Sequence, residues 1–248
     1  MVSESKVLLI DVGNTQIKYC LLSQFDKEPE VSSSIECVFN YVNDKKIEYI
    51  YLSSVRNESF AQEIKKKYYD ESVTVTQICT ESEAFGIKNC YADVSKMGTD
   101  RWLAMVAAEK TTNKAFFVMD IGTAITVDFV ADGQHLGGWI TPGYTVMKDA
   151  LINSTERVTA HDQIPTNFDI GQDTEDCVAT GCFSAVYGVY LAAIDYLSSK
   201  QTDFDVIIGG GGKKMFAFLE SDDSIRAANL VVQGLARYAR RDLCVTFD

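Results

Sequence analysis

Residues 8–22 read LLIDVGNTQIKYCLL, and residues 117–130 read FVMDIGTAITVDFV. Each stretch is an apolar run, then an Asp-x-Gly turn with polar residues, then a second apolar run, which predicts a strand, a tight turn and a second strand. The turns begin at Asp11 and Asp120, one in each half of the chain. Self-similarity of this kind indicates a duplicated unit. Because helical patterns accompany the strands in both copies, we expect an α/β fold of two duplicated lobes with a cleft between them.

The repeat divides the chain near its middle, into a first lobe of residues 1–112 and a second lobe of residues 113–248. In the first lobe the pattern predicts further strands at 47–53 and 73–78, a helix at 59–69, and a helix from Thr99, as its N-cap, to Thr111. In the second lobe it predicts a helix at 174–198, a strand at 206–208 and a last helix at 225–240.

Composition limits the classes of function. Of the 248 residues, 46% are hydrophobic, which is enough for a buried core. The formal net charge of -12 disfavours nucleic-acid binding, because an acidic surface repels phosphates. Seven cysteines without a C-x-x-C pair argue against a disulfide framework and a zinc site. The N-terminus has no signal-peptide pattern, and no stretch approaches the roughly 20 apolar residues of a membrane span, so we expect a soluble cytoplasmic protein.

The two Asp-x-Gly turns have the chemistry of a phosphate site. Glycine after a strand brings backbone N–H groups close to a ligand, and successive N–H groups bind anions. Asn14, Thr15 and Thr123 add side-chain donors. Asp11 and Asp120 are suited to hold Mg²⁺, its waters or another cation beside the phosphates. One such turn alone is more often an ordinary β-hairpin, but two in matching contexts favour a nucleotide site.

The segment Gly98-Thr-Asp-Arg-Trp102 places Asp100 in the first turn of a predicted helix, beside Arg101. The helix dipole and the guanidinium of Arg101 both favour the ionised carboxylate. A carboxylate held in this way accepts a proton from a substrate hydroxyl. The alternative, which is the commoner role of an aspartate in the first turn, is that Asp100 only complements the dipole.

Other segments leave alternatives open. Residues 137–143, GGWITPG, are either a rigid loop lining the cleft or a tight corner in a sheet. The glycines 209–212 follow a strand, and they either let the backbone approach an adenosine ring or form a flexible turn. The predicted helix at 174–198 is apolar over much of its surface, so it is a core helix or a dimer face. His135 and His161 share no motif, and we expect them to be structural or exposed.

Taken together, these residues resemble the type III pantothenate kinases, within the superfamily of actin, Hsp70 and the sugar kinases. The resemblance covers nearly the whole chain and rests on the order and spacing of five motifs, Asp11-Val-Gly-Asn-Thr15 with Lys18, Gly98-Thr-Asp-Arg101, Asp120-Ile-Gly-Thr-Ala124, Gly137-Gly-Trp-Ile-Thr-Pro-Gly143 and Gly171-Gln-Asp-Thr174. It implies two actin-like (ribonuclease H-like) lobes and a homodimer. It also implies ATP-dependent phosphorylation of pantothenate to 4'-phosphopantothenate, the first step of coenzyme A biosynthesis.

The resemblance further implies roles for single residues. It makes Asp100 the general base, and it assigns to Asp120 a monovalent cation, K⁺ or NH₄⁺, with Mg²⁺ accompanying the ATP. The implied ATP-binding residues are Asp11, Val12, Gly13, Asn14, Thr15, Gln16, Ile17, Lys18 and Thr123. The implied pantothenate-binding residues are Tyr91, Gly98, Thr99, Arg101 and Thr174. The last of these lies near the implied dimer interface, and it would also serve as the N-cap of its helix.

The chemistry of the residues agrees with this reaction. Phosphoryl transfer needs mainly positioning and charge stabilisation, and the planar guanidinium of Arg101 suits the carboxylate of pantothenate. Two alternatives remain open: a kinase of the same superfamily acting on another small hydroxylated substrate, and a non-catalytic nucleotide-binding relative with an accessory or regulatory role. The intact Asp11, Asp100 and Asp120 disfavour the second alternative, because a binding module needs no placed base.

Overall fold

The computed structural model describes residues 2–13, 16–54, 58–69, 73–161, 163–165, 169–201, 203–219, 225–226 and 229–243. The chain divides into two compact units. The first is formed by Met1–Thr111 with Ala228–Asp248, and the second by Thr112–Ala227. The predicted boundary after residue 112 differs by one residue from the observed boundary between Thr111 and Thr112.

The first unit is built on a five-stranded sheet with the order β3-β2-β1-β4-β5. Its strands are β1 (Val7–Val12), β2 (Ile17–Leu21), β3 (Glu30–Ser32), β4 (Tyr49–Ser54) and β5 (Thr74–Gln77). β1 pairs antiparallel with β2 and parallel with β4, and all of its residues are buried. A strand buried along its whole length is typical of the centre of a sheet that is covered on both faces. The predicted strands at 47–53 and 73–78 correspond to β4 and β5.

The first unit also contains helices from both of the chain segments that form it. They are α1 (Ile35–Lys45), α2 (Glu58–Lys67), α3 (Thr99–Glu109) and the C-terminal helix α6 (Leu230–Leu243), with a short hairpin of β6 (Glu83–Ala84) and β7 (Ile87–Lys88). The prediction of Thr99 as the N-cap of α3 is wrong by one residue, because Gly98 is the cap and Thr99 already has helical geometry. The last helix begins at Leu230 rather than near residue 225, because residues 225 and 226 form a short strand.

The C-terminal helix packs closely on α3. Gly234 faces α3 so tightly that a Cβ there would lie 2.8 Å from the Cβ of Leu103, a distance that real side chains do not tolerate. Glycine at this position therefore allows the two helices to meet along their apolar faces, on which Leu235 and Tyr238 are buried. For this reason α6 is part of the first unit, whereas the sequence boundary had placed it in the second lobe.

The second unit repeats the arrangement around β1. Its strands are β8 (Ala115–Ile121), β9 (Ala124–Ala131), β10 (Gln134–Pro142), β11 (Phe204–Gly209) and β12 (Ile225–Arg226), in the order β12-β11-β8-β9-β10. β8 pairs antiparallel with β9 and parallel with β11, as β1 does with β2 and β4. The duplicated strand-turn-strand unit that the sequence predicts at 8–22 and 117–130 is confirmed, and the fold is mixed α/β.

The GGWITPG segment is a strand, not a loop or a corner. Its residues up to Pro142 belong to β10, which pairs with β9 and has an irregularity between His135 and Gly137. Gly137 has φ of 120° there, a conformation that favours glycine. The ring of His135 is buried, and its Nε2 lies 2.9 Å from Oδ1 of Asp128, which agrees with the expectation of a structural histidine.

The second unit has the helices α4 (Tyr144–Ser154) and α5 (Thr174–Ser198). α5 has the predicted bounds, but its N-cap is Asp173, whose carboxylate accepts a hydrogen bond from the backbone N–H of Asp176 at 2.8 Å. Thr174 is therefore the first helical residue rather than the cap. Phe183 and Tyr190 on one face of α5 pack into the core of this unit.

By length and composition alone, α5 is apolar enough to cross a membrane, with a mean hydropathy of 1.7 over its best window. The expectation that no stretch approaches this length is therefore wrong. About 39% of that window is buried inside the protein, and a core helix of a soluble protein passes the same test. Packing into the core thus accounts for the apolar residues on one face of α5, but it does not account for those on the opposite face.

Candidate active site

Asp11 is held at the carboxyl end of β1, beside the parallel strand β4. Its side chain is 6% exposed, and its Oδ1 accepts a hydrogen bond from Oγ of Ser53 at 3.3 Å. Lys18 is its partner across the hairpin on β2. The turn is closed by the N–H of Gly13, which donates to the carbonyl of Gln16 at 3.0 Å. Ligands of α/β sheets bind at the carboxyl ends of parallel strands, which is where this turn lies in its own unit.

The predicted phosphate-binding residues around this turn have different surroundings. The side chains of Val12 and Ile17 are each 5% exposed and belong to the core, so only their backbone groups are available to a ligand. Gln16 is exposed, and Lys18 is partly exposed. Asn14 and Thr15, which the sequence analysis also assigned to the ATP site, lie outside the described residues.

Asp100 and Gly98 are fitted to each other at the start of α3. The Oδ1 atom of Asp100 accepts a hydrogen bond from the backbone N–H of Arg101 at 2.8 Å. A Cβ on Gly98 would lie 2.5 Å from that same oxygen, so glycine is the residue that leaves room for the carboxylate. The positive end of the helix dipole stabilises negative charge at this position. Asp100 is therefore a partly exposed carboxylate in the first turn of a helix.

Arg101 and Tyr91 form a direct pair. Nη1 of Arg101 donates a hydrogen bond to the phenolic oxygen of Tyr91 at 3.0 Å, and its Cζ lies 5.8 Å from the centroid of the ring. Only 6% of Arg101 is exposed, so the pair holds the guanidinium in a defined orientation. The backbone N–H of Tyr91 donates to Oδ1 of Asn89 at 3.0 Å. The structure thus brings together two residues that the sequence analysis singled out separately.

In the second unit, three glycine-containing segments meet at the Asp120 turn. The N–H of Gly122 donates to the carbonyl of Ala124 at 2.9 Å and closes the turn. The N–H of Gly143 donates to the carbonyl of Thr123 at 2.9 Å, and a Cβ on Gly143 would overlap the carbonyl oxygen of Gly122. The end of β10 therefore lies directly on the turn, with no room for a side chain.

Gly210 approaches the same turn from β11. It has φ of 84°, and a Cβ there would overlap Oδ1 of Asp120 and the carbonyl oxygen of Ile121. Gly209 is the register partner of Asp120 in the parallel pair of β11 and β8. Carboxylate and carbonyl oxygens are the ligands that hard cations prefer, so this crowded group of oxygens fits a cation.

Two buried hydroxyls flank Gly143 and lack a hydrogen-bond partner among the described residues. They are Oγ1 of Thr141 at the end of β10 and the phenolic oxygen of Tyr144 at the start of α4. Burial, followed by the nearby thiol of Cys182, raises the pKa of Tyr144. Buried polar groups usually have partners, so these two hydroxyls are exceptions, and the hydroxyl of Tyr144 lies in the core of the unit near Cys182.

Thr174 lies apart from these turns in sequence and lines an apolar groove between α4 and α5. The groove has a volume of about 1040 Å³. Its lining includes Val146, Leu151, Thr174, Cys177, Val178 and Gly181. Thr174 is exposed, at the first helical position of α5.

Two residues at these sites were missed by the sequence analysis. Ser53 is fully buried, and its hydroxyl donates to Asp11; the polar pair Ser53-Ser54 at the end of an apolar run was a signal for it. Asn89 accepts a hydrogen bond from the backbone N–H of Tyr91, and nothing in its local sequence indicated that role.

Solved structures share this fold. A chain from Campylobacter jejuni described as a Baf family transcriptional activator has a TM-score of 0.65 at 20% identity, covering 96% of this chain and 100% of that one. A chain from Sinorhizobium meliloti described as a 2-dehydro-3-deoxygalactonokinase has a TM-score of 0.61 at 12% identity, with coverage of 96% and 100%. A chain from Listeria monocytogenes described as an N-acetylmannosamine kinase has a TM-score of 0.55 at 12% identity, with coverage of 96% and 99%. At such identities the likeness shows the fold alone, which is that of the actin-like sugar kinases. In this chain each unit has one Asp-x-Gly turn.

The family follows from the sequence comparisons. The family model for type III pantothenate kinase matches residues 7–195. A type III pantothenate kinase of Pseudoalteromonas atlantica is 33% identical over 96% of this chain and 99% of its own length. Those of Pseudoalteromonas translucida and Marinobacter nauticus are 31% and 35% identical over 92% and 71% of this chain, and over 94% and 74% of their own lengths. The chain belongs to the type III pantothenate kinase family. Membership confirms the predicted enzyme class and, with it, ATP-dependent phosphorylation of pantothenate in coenzyme A biosynthesis.

Proposed function

We propose that this chain transfers the γ-phosphoryl group of ATP to the hydroxyl of pantothenate with Asp100 as the general base and the Tyr91–Arg101 pair as the substrate-holding groups. The observation that carries this proposal is the start of α3. Within two consecutive residues it offers a carboxylate stabilised by the helix N-terminus and a buried guanidinium oriented by Tyr91. Pantothenate has a hydroxyl that must lose a proton and a carboxylate that needs a cation, and these two groups match those two needs.

Asp100 would orient the attacking hydroxyl and accept its proton as the new O–P bond forms. Its carboxylate is partly exposed, and Gly98 leaves one side of it open. The N-terminal turn of α3 favours the ionised form of this carboxylate, which is the form that accepts a proton. Arg101, Gly98 and Thr99 would hold the substrate beside it.

ATP binding would draw on groups from each unit. In the first, the Asp11 turn offers the backbone of residues 12–13 and 16–17 and the amine of Lys18, all proposed to bind phosphates together with Asn14 and Thr15. In the second, Thr123 and the glycines 209–212 would contact the nucleotide. Backbone N–H groups are needed because a chain with a net charge of -12 gives phosphates little general attraction.

Cations would complete the site. Kinases of this kind use ATP with a divalent metal, and Mg²⁺ would neutralise the phosphates during transfer. The crowded oxygens of Asp120, Ile121 and Gly122 would hold a monovalent cation, K⁺ or NH₄⁺. Asp11, whose carboxylate is oriented by Ser53, is suited to bind waters of the Mg²⁺ ion.

We further propose that two copies form a homodimer through α5. The face of α5 opposite the core is apolar and exposed at four successive turns, at Gly181, Ala185, Gly188 and Leu191. Among the residues that the structure describes, nothing lies within 4 Å of a Cβ placed on Gly181 or Gly188, so another helix can approach closely along this stripe. Thr174 at the head of α5 and the adjoining α4–α5 groove would lie beside that interface. A second copy covering this apolar face would account for its composition, in keeping with the proposed cytoplasmic location and with no membrane or nucleic acid among the proposed partners.

The reaction is tested by a coupled ADP-release assay of the purified chain with ATP, Mg²⁺ and a panel of small hydroxy acids and sugars. The proposal expects a signal that depends on pantothenate and a product with the mass of 4'-phosphopantothenate. ADP release with another panel member alone would favour a kinase for a different hydroxylated substrate. Nucleotide binding without turnover on any member would favour a non-catalytic relative.

A further inference from the structure

A buried tyrosine of the C-terminal helix touches both segments that carry the substrate-holding pair. The indole Nε1 of Trp102 donates a hydrogen bond to the phenolic oxygen of Tyr238 at 2.7 Å. That hydroxyl in turn donates to Oε1 of Glu81 at 2.5 Å. Trp102 follows Arg101 in α3, and Glu81 begins the segment that leads to Tyr91. Tyr238 therefore joins the two chain segments from outside both of them.

The contacts continue until they close on themselves. The backbone carbonyl of Glu81 accepts a hydrogen bond from Nδ2 of Asn89 at 3.3 Å, and Oδ1 of Asn89 accepts one from the N–H of Tyr91 at 3.0 Å. Tyr91 is bonded to Nη1 of Arg101 at 3.0 Å. The peptide bond between Arg101 and Trp102 completes a closed ring of six residues: Glu81, Asn89, Tyr91, Arg101, Trp102 and Tyr238.

The ring is shielded from water at most of its members. Trp102 and Tyr238 are 0% and 1% exposed, and Asn89 is 9% exposed. Burial and then the hydrogen bond to Glu81 raise the pKa of Tyr238, so its hydroxyl stays protonated and keeps donating. A buried group that loses its partner is not rescued by water, which makes these hydrogen bonds effective in fixing geometry.

The C-terminal helix is held in place for this contact. Gly234 lets α6 approach α3 at van der Waals distance. The guanidinium of Arg241 lies over the ring of Tyr238, 4.5 Å from its centroid, and its Nη1 is 3.6 Å from Oε1 of Glu81. Arg241, which lies on α6 like Tyr238, thus contacts both Tyr238 and Glu81.

We propose that Tyr238 is a positioning residue for pantothenate, acting through Trp102 and Glu81 to fix the distance and orientation between Tyr91 and Arg101. The proposal rests on the proposed roles of Tyr91 and Arg101 in holding the substrate. Tyr238 itself touches neither substrate nor ATP in this account. Its removal should weaken the binding of pantothenate while leaving the binding of ATP unchanged, because the ring does not include the Asp11 turn.

The test is a comparison of Tyr238→Phe with the unmodified enzyme in steady-state kinetics for both substrates. We expect the KM for pantothenate to rise about three- to tenfold, the factor that loss of one buried hydrogen bond typically produces. The KM for ATP should stay within about twofold, because the ring does not include the Asp11 turn. A general loss of folded protein would not produce an effect on one KM alone. Equal changes in both KM values, or no change in either, would overturn the proposal.

Tyr51→Phe is the matched control. Tyr51 is also buried in the first unit, and burial followed by the carboxylate of Asp242 in α6 raises the pKa of its hydroxyl. It lies outside the ring, so Tyr51→Phe should leave the KM for pantothenate unchanged. A rise equal to that of Tyr238→Phe would show that any lost contact with α6 has this effect, and it would overturn the specific role of Tyr238.

Glu81 provides a second variant should Tyr238→Phe fold poorly. Its side chain is 42% exposed, so Glu81→Ala is expected to fold, to raise the KM for pantothenate as Tyr238→Phe does, and to be largely rescued in Glu81→Gln, which keeps an acceptor. The double variant should be no worse than the poorer single one, because both changes break the same connection; fully additive effects would contradict the ring. Arg101→Lys distinguishes the proposed role of the Tyr91–Arg101 pair from the proposed role of Tyr238. If Arg101→Lys leaves the KM for pantothenate unchanged, the role of the pair is wrong. If Arg101→Lys raises this KM and Tyr238→Phe does not, only the role of Tyr238 is wrong.

Discussion

Arg101 and Tyr91, ten residues apart in the chain, are joined by a hydrogen bond of 3.0 Å from Nη1 of the guanidinium to the phenolic oxygen. This bond uses one of the five donors of the guanidinium and turns the group toward the segment before α3. The proposed role of this pair in binding pantothenate can therefore be tested by a single substitution that removes the hydrogen bond.

Tyr91→Phe removes that hydrogen bond while keeping the ring on which the guanidinium lies. We expect the KM for pantothenate to rise about fivefold, corresponding to roughly 1 kcal/mol, with little change in the KM for ATP. Steady-state kinetics with each substrate varied in turn would measure both values. An unchanged KM for pantothenate would remove Tyr91 from the binding site.

Gly210→Ala tests the crowded turn at Asp120. A methyl group there would overlap Oδ1 of Asp120 and would also require an alanine with φ of 84°, a combination that destabilises by more than about 1 kcal/mol. We expect strongly reduced turnover and loss of the activation by K⁺ or NH₄⁺ that the Asp120 proposal requires, measured as rate against cation concentration.

Gly211→Ala is the control for that variant, because no described atom lies within 4 Å of a Cβ on the neighbouring Gly211. It should keep the cation response of the unmodified enzyme. If the unmodified enzyme runs equally fast in Na⁺ and K⁺, the cation role assigned to Asp120 is wrong whatever the two variants do.

Gly188→Glu tests the proposed dimer. The substitution adds a charge to the centre of the exposed apolar stripe of α5, where a Cβ would meet no atom of the described residues within 4 Å. Light scattering after size exclusion should show twice the chain mass of 27.5 kDa for the unmodified protein and a monomer for the variant. Ser198→Glu, at the exposed end of the same helix, should remain dimeric. A monomeric unmodified protein would refute the interface.

Cys20 predicts how stability changes at alkaline pH. Burial, followed by the charges of Asp26 and Glu30, raises the pKa of its thiol from 9.0 to about 12. Below about pH 9 the thiol is protonated in both the folded and unfolded states, so this contribution to stability is fully present. As the pH rises from about 9 toward 12, only the unfolded chain loses the proton, and the free energy of unfolding falls by up to roughly 1.4 kcal/mol per pH unit.

Urea unfolding at several pH values between about 8 and about 10.5 would measure that slope. Cys20→Ala should show a shallower decline than the unmodified protein. Tyr19 and Tyr51, whose pKa values burial also raises to about 12, are present in both proteins and cancel in the comparison. Identical slopes would contradict the buried, protonated thiol.

The local parts of this fold were predictable from sequence, and the long-range parts were not. Both hairpins follow from apolar runs interrupted by Asp11-x-Gly and Asp120-x-Gly, because strand and turn patterns are set by neighbouring residues. The two N-caps were each misplaced by one residue, at Gly98 and Asp173, because the adjacent residue is in each case an equally acceptable cap.

The contacts that orient the site depend on separations that no local pattern reports. Ser53 reaches Asp11 across 42 residues, and Tyr238 reaches Trp102 and Glu81 across 136 and 157 residues. The assignment of α6 to the second lobe was wrong for the same reason, because the close packing allowed by Gly234 is visible only when α3 is beside it.

The central claim is that Asp100 is the base of a pantothenate kinase, and Asp100→Asn tests it most directly. The amide keeps the shape of the side chain and can still accept the N–H of Arg101, but it cannot take a proton from the substrate. A coupled ADP-release assay, with pantothenate and ATP binding measured separately by calorimetry, should show both ligands bound with about the original affinity and turnover reduced by roughly 10²–10⁴-fold. Turnover close to that of the unmodified enzyme, with both ligands bound, would contradict the account.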